Sequence, residues 1–144
     1  MGLGVVGGGV AQVLLNNANA LSHKVGCPLT LRHVLVRDSS KPRPAGVPVT
    51  TDAEVIFADK EVQVVVELIG GTTLSRELCL RAIATGRHVV TANKALLATH
   101  GEELFGRAQA AGVDLLFEGA VCGGIPIIRT MREALASDRI EGIF

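Results

Sequence analysis

A doubly wound α/β fold on a parallel sheet is predicted by three observations. Apolar runs alternate with stretches of helical period along the whole chain. The run from Val62 to Ile69 is almost continuously Val, Ile and Leu, as in a strand covered on both faces. The runs are separated by turns rich in glycine, of which the chain has 17 among 144 residues. That length suits one domain of the usual ~100–200 residues.

The elements follow in order. Gly4 to Leu21 is expected to be a helix after a glycine turn, with Val6, Val10, Val13 and Leu14 on its inner face. Leu29 to Val36 is a strand candidate, and Arg37 to Pro44 is a polar loop with two prolines. Thr51-x-x-Glu54 has the form of a capping box that opens a short helix. The Val62–Ile69 strand ends in the turn Gly70-Gly71-Thr72. Leu74, Leu78 and Ala82 mark a helix that stops at Gly86, and His88 to Thr91 is a short strand. Thr99-x-x-Glu102 predicts the start of the next helix, with Leu104, Ala108 and Ala111 as its stripe and Gly112 as its stop. Val113 to Phe117 is the next strand. Pro126 suits the first turn of a last helix that buries Ile128, Met131 and Leu135, and Ile140 to Phe144 looks like a strand beginning.

Composition excludes several classes of function. Fourteen basic residues balance fourteen acidic ones, and Trp and Tyr are absent, so neither an electrostatic footprint nor a stacking platform for nucleic acid is expected. No run of about 18 apolar residues exists to cross a membrane, and no signal peptide is visible. The three cysteines, Cys27, Cys79 and Cys122, lack any C-x-x-C spacing, which fits a reducing cytoplasm. Cys122 has no histidine nearby in sequence to activate it, and the four histidines have no metal-ligand spacing.

Five segments carry candidate chemistry. Gly2-Leu3-Gly4-Val5-Val6-Gly7 fits G-x-G-x-x-G, in which the glycines permit a tight turn, close approach to a pyrophosphate and close helix packing. The helix that follows offers free N–H groups and its positive dipole end. Arg37 stands at the end of the second strand, where an arginine accommodates the 2′-phosphate of NADP; Asp38 beside it can instead take the acid's role on the ribose of NAD. Gly70, Gly71 and Thr72, and then Asn93 and Lys94, each follow a strand and so open on the carboxyl edge, where ligands of such sheets bind. Glu67, inside an apolar run, needs a partner or lies at the ligand end of its strand. Glu118 precedes the bend Val121-Cys122-Gly123-Gly124-Ile125, whose carbonyls can turn toward a hard cation or simply form a hinge.

Taken together, Gly2–Gly7, Val65–Gly71, Gly86–Ala98 and Phe117–Ile128 resemble homoserine dehydrogenase, in that family's order. The resemblance implies a Rossmann-like domain over residues 1–124 and the first helix and strand start of a substrate and dimerisation domain over 125–144. It implies NAD(P)-dependent interconversion of L-homoserine and L-aspartate 4-semialdehyde, on the route to threonine, isoleucine and methionine. Gly2, Gly4, Val5, Val6, Gly7, Arg37, Gly70, Gly71, Thr72, Asn93 and Lys94 would hold the cofactor; Arg37 itself favours NADP over NAD. Lys94 would also face the reacting oxygen. Glu118, Val121, Gly123 and Ile125 would hold sodium, the last three through carbonyls, and a homo-oligomer is implied.

Gly119 and Cys122 depart from the alanines common in the family, and the family's general acid/base lysine has no counterpart here. Only Met1 precedes the glycine loop where a first strand should stand, so both ends are expected to be cut edges, the sheet to have a gap, and Ile127, Ile128 and Met131 to be left bare. This chain alone is expected to bind cofactor with little turnover. Two rival readings are a non-catalytic nucleotide-binding module and a glucose–fructose oxidoreductase relative. Ala95 disfavours the second, in which proline commonly follows the lysine.

Overall fold

A computed structural model describes residues 1–142. The elements run α1 (Val5–Asn16), α2 (Ala18–Val25), β1 (Val34–Leu35), β2 (Val49–Thr50), α3 (Ala53–Ala58), β3 (Val64–Glu67), α4 (Thr73–Ala84), β4 (His88–Thr91), α5 (Lys94–Ala111) and β5 (Leu115–Leu116). A 3₁₀ turn (Glu118–Ala120), a short α6 (Ile127–Arg129) and a π-turn (Thr130–Ala134) follow.

All strand pairs are parallel. β1 pairs with β2, and β3, β4 and β5 form a second ladder in that order. Residues 1 and 2 join the two ladders. The Gly2 N–H donates to the Leu35 carbonyl at 2.9 Å, the Leu68 N–H donates to the Met1 carbonyl at 2.9 Å, and the Met1 amino group donates to the Val66 carbonyl. The sheet therefore reads β2-β1-(1–2)-β3-β4-β5, the doubly wound order, with residues 1–2 bonded between β1 and β3. A cavity of about 440 Å³ lies alongside residues 1–2, between Leu31–Val34 and Val62–Val66 and under Gly7, Ala11 and Leu14.

The main core joins β3, β4 and β5 to α4 and α5 through Val65, Leu78, Cys79, Ala82, Ile83, Val89, Leu96, Leu104, Ala108 and Leu115. β4 spans His88 to Thr91 as the sequence predicts, and Val89 and Thr91 point into the core.

Several expectations are corrected. The first helix breaks at Asn17, and a second helix continues to Val25, ending on Gly26 in the left-handed conformation. Its inner face is Gly7, Val10, Ala11 and Leu14, while Val6 and Val13 face outward, because small residues permit the closest approach to the sheet. Leu29–Val36 is a ladder only at Val34–Leu35, extended by a bond from the Val36 N–H to the Thr50 carbonyl. Asp52, not Thr51, caps α3, accepting the Glu54 N–H at 2.8 Å.

Leu74 is exposed, and Ser75 takes the buried place in its turn of α4. The helix expected from Thr99 starts at Lys94. Asn93 caps it through the Leu96 N–H, and the Thr99 hydroxyl turns back onto the Ala95 carbonyl. Ala111 is exposed, outside the stripe of Leu96, Leu104 and Ala108. Pro126 caps the final helix from outside, and Leu135 is exposed. Ile127, Ile128 and Met131 are half-buried rather than bare, whereas Ile125 is exposed. Residues 140–142 are irregular; the rest of the strand expected at Ile140–Phe144 lies outside the described residues.

Candidate functional site

Parallel strands deliver their following loops to one edge, and here consecutive loops touch. An added Cβ on Gly2 would stand 2.5 Å from the Leu68 carbonyl oxygen, so the glycine loop is pressed against the end of β3. The Asn93 amide donates to the Gly71 carbonyl at 2.7 Å, which ties the loop after β3 to the loop after β4. A Cβ on Gly119 would meet the Ala92 Cβ at 3.4 Å, so the 3₁₀ turn after β5 abuts the same loop. Arg37 follows β1, two residues beyond the Leu35 carbonyl that Gly2 engages. The edge thus gathers Gly2–Gly7, Arg37, Gly70–Thr72, Asn93–Lys94 and Glu118.

The three motif glycines differ in what requires them. Gly2 has φ +87°, and a Cβ on Gly7 would stand 2.2 Å from the Gly2 carbonyl oxygen, closer than any side chain permits. Around Gly4 nothing lies within 4 Å of the position of a Cβ, so that face is open. α1 has no side-chain cap and no acidic residue in its first turn, and Val5 is 96% exposed. Its first N–H groups and its dipole are therefore turned to solvent, an arrangement suited to phosphate oxygens.

Arg37 is exposed at the end of β1, whereas Asp38 is engaged locally. The Asp38 carboxylate accepts the Ser40 hydroxyl at 2.6 Å and the Ser40 N–H at 2.9 Å, and these bonds hold its pKa below the usual carboxylate value. The Arg43 guanidinium folds back onto the Asp38 carbonyl. Arg37 and Lys41 are the cations of this loop that are exposed with no described bond, and Arg37 is the one nearer the end of β1.

Gly70 and Gly71 have φ of +80° and +71°, which L-residues with side chains rarely adopt. The Ser75 hydroxyl donates to the Gly70 carbonyl at 2.8 Å. Thr72 precedes α4 without using its side chain as a cap. Lys94 opens α5 at the edge, is exposed, and has no described hydrogen bond or ion pair. An ammonium at a helix N-terminus opposes the dipole, so helix stability does not account for it. Sequence reasoning missed Ser75 and Thr91; the available signal was a small polar residue inside each buried stripe.

Glu118 is half-buried, and its two carboxylate oxygens accept the Ile128 and Arg129 N–H groups, each at 2.9 Å. The Ile125 carbonyl accepts the Ile127 N–H at 2.8 Å. The carbonyls of Val121 and Gly123 accept no bond among the described residues. Each engaged oxygen keeps a further lone pair, so the donor set suits a hard cation. Cys79, buried behind this edge, has its thiol pushed up to about 12, first by burial and then by the Glu67 charge, and is chemically inert. Among the described residues no helix is long and apolar enough to cross a membrane.

A tight glycine turn, an open helix N-terminus and strand-end loops meeting at one edge define a dinucleotide-binding domain of the doubly wound class. The family model for the NAD binding domain of homoserine dehydrogenase matches residues 2–118. The chain belongs to that family, as its NAD-binding domain. Homoserine dehydrogenase of Bacillus subtilis is 44% identical over 97% of this chain, and that of Pseudomonas aeruginosa is 46% identical over 97%. The crystal structure of a homoserine dehydrogenase from Thiobacillus denitrificans superposes with a TM-score of 0.89 at 47% identity, covering 96% of this chain and 33% of that one. The chain spans about a third of the length of these relatives: 33% of the Bacillus protein and 32% of the Pseudomonas protein.

Proposed function

We propose that this chain is the cofactor-binding part of an enzyme that interconverts L-homoserine and L-aspartate 4-semialdehyde with NAD(P). The observation that carries the reading is the open face at Gly4, set between two glycines that the fold itself requires. The cofactor, when bound, would supply two-electron redox chemistry, the alcohol carbon of homoserine losing hydride while its hydroxyl proton passes to water, with both returned in the reverse direction. The chain's own residues bind and orient. Gly2, Gly4, Gly7 and the N–H groups of Val5 and Val6 hold the pyrophosphate. Gly70, Gly71, Thr72 and Asn93 line the nicotinamide side, and Lys94 faces the reacting oxygen, where an ammonium favours developing negative charge.

NADP is the favoured cofactor. Arg37 is exposed with no described bond and presents a cation fit for a phosphate; both Ser40 bonds to Asp38 end on Oδ1, so the preference rests on Arg37 and not on the loss of the acid. Sodium would be held by Glu118 and the carbonyls of Val121, Gly123 and Ile125, coupling the end of β5 to residues 125–144. That segment begins a second, substrate and dimerisation domain, in a homo-oligomer that works in the cytoplasm. Turnover of homoserine by this chain alone is expected to be negligible.

The test follows the fluorescence of reduced cofactor during titration. NADPH is expected to bind about tenfold tighter than NADH, and Arg37→Ala to abolish the difference while both still bind. Equal affinities in the unaltered chain would remove the role given to Arg37.

A further inference from the structure

The buried carboxylate of Glu67 is used by none of the steps above. It closes β3, is fully buried, and lies directly behind the edge loops. Glu67 Oε1 accepts the Ile69 N–H at 2.8 Å and the Gly70 N–H at 3.3 Å, holding the turn in which both glycines have positive φ. Glu67 Oε2 accepts the Thr91 hydroxyl at 2.7 Å from the end of β4, also fully buried from solvent to within 1%. The Thr91 oxygen in turn accepts the Asn93 N–H at 3.0 Å. The Asn93 side chain then closes the circuit, donating to the Gly71 carbonyl at 2.7 Å and accepting the Leu96 N–H at 3.1 Å.

The register explains the circuit. Glu67 lies opposite Thr91 in the parallel ladder, as the last residue of each strand. Two polar side chains thus face one another inside an otherwise aliphatic layer, where an apolar pair would fill the same space without a desolvation cost. What the polar pair supplies is directional bonding to both loops at once. We infer that Glu67 is a positioning residue, whose bonds to the 69–70 amides and to Thr91 hold the Gly70–Thr72 and Asn93–Lys94 loops in mutual register for the nicotinamide end of the cofactor. This rests on the function proposed above. It assigns the adenosine and pyrophosphate end to other residues, Gly2–Gly7 and Arg37, to which no hydrogen bond of the circuit runs.

The test uses Glu67→Gln and Thr91→Val, two near-isosteric changes: Gln leaves one acceptor oxygen for the two sides that the carboxylate serves and puts an NH2 on the other, and Val removes the Thr91 hydroxyl. Amide hydrogen exchange without cofactor is measured first. In both variants, exchange at residues 69–71 and at 93–96 is expected to rise together, by about tenfold for one lost charge-assisted bond. Binding is then compared for NADPH and for ADP-ribose 2′-phosphate, which lacks the nicotinamide. NADPH affinity is expected to fall about tenfold, with ADP-ribose 2′-phosphate affected less than about twofold. A merely structural role would weaken both ligands alike, and that result overturns the proposal. So does faster exchange confined to 69–71, or a variant pair in which NADPH affinity is unchanged. If Glu67→Gln fails to fold, Thr91→Val carries the same comparison alone. Failure of the unaltered chain to bind either ligand sinks the cofactor reading itself, an outcome distinct from intact binding that the variants leave unmoved.

Discussion

The two halves of the sheet are built from the same kinds of residue and differ in how far they are packed. On the β3-β4-β5 side, α4 and α5 cover the ladder, and Cys79, Ala82, Val89, Leu96 and Leu104 are fully buried. On the β1-β2 side, α1 and α2 leave Val5, Val6, Val13 and Val25 exposed, none of α2 is buried, and a cavity of about 440 Å³ lies beside residues 1–2. The edge loops draw on both halves: the pyrophosphate end from the looser one, the nicotinamide end from the tighter one. Binding and stability are therefore expected to be separable by mutation. Exposed positions around α1 are expected to act on the cofactor alone and buried apolar positions of α4, α5 and β4 on the fold alone, while Gly7 serves both.

The largest effect belongs to the packed side. Leu104→Ala, at a fully buried site, is expected to cost about 3 kcal/mol of unfolding free energy, whereas Val13→Ala on α1 should stay within about 0.5 kcal/mol. Urea titration of both variants checks this, and similar costs would erase the distinction between the halves. Next comes Gly7→Ala, whose Cβ has no room beside the Gly2 carbonyl. A loss of about 1–3 kcal/mol is expected, together with loss of cofactor binding, read by the same denaturation and by fluorescence titration. Gly9→Ala, in the same helix with nothing within 4 Å of the new atom, should act in the opposite direction, raising stability by about 0.5–1 kcal/mol. A destabilised Gly9→Ala would mean that α1 packs more tightly than described.

The smallest effect concerns the tether between the halves. Asp59 follows α3 and accepts from His33 and Arg32 beside β1, and these bonds, His33 first, lower its pKa from 3.8 to about 2. A carboxyl whose folded pKa lies below its unfolded value stabilises the fold above that unfolded value. Its contribution is lost as pH falls from about 4 toward 2. Asp59→Asn is therefore expected to flatten the acid limb of stability against pH in that window and to leave the curve near neutrality similar in shape. An unchanged acid limb would assign that limb to other carboxylates.

The same division separates what was legible in the sequence from what was not. β3 and β4 could be located because Val64–Val66 and Val89–Val90 are consecutive aliphatic residues, but burial alternates along them and Val64 and Leu116 are exposed, so these strands are not covered on both faces; Gly112 marks the end of α5 by the left-handed turn it adopts. α1 misled because hydrophobicity points at Val6 and Val13, while the sheet is approached through Gly7 and Ala11, residues notable for size rather than apolarity. The start of α5 misled because Thr99-x-x-Glu102 imitates a cap inside a helix that Asn93 had already begun. The site glycines could be placed because the motif is local. The Glu67–Thr91–Asn93 circuit could not, since it depends on which residue of β4 stands opposite Glu67, a matter of register between strands 24 positions apart.

The most direct test of the central claim is calorimetric titration of this chain with NADP and with NAD. One cofactor per chain, with NADP the tighter, is the expected result. No heat of binding with either would contradict the account, because it would mean that the edge assembled by Gly2, Gly4, Gly7, Gly71 and Asn93 does not function as a nucleotide site.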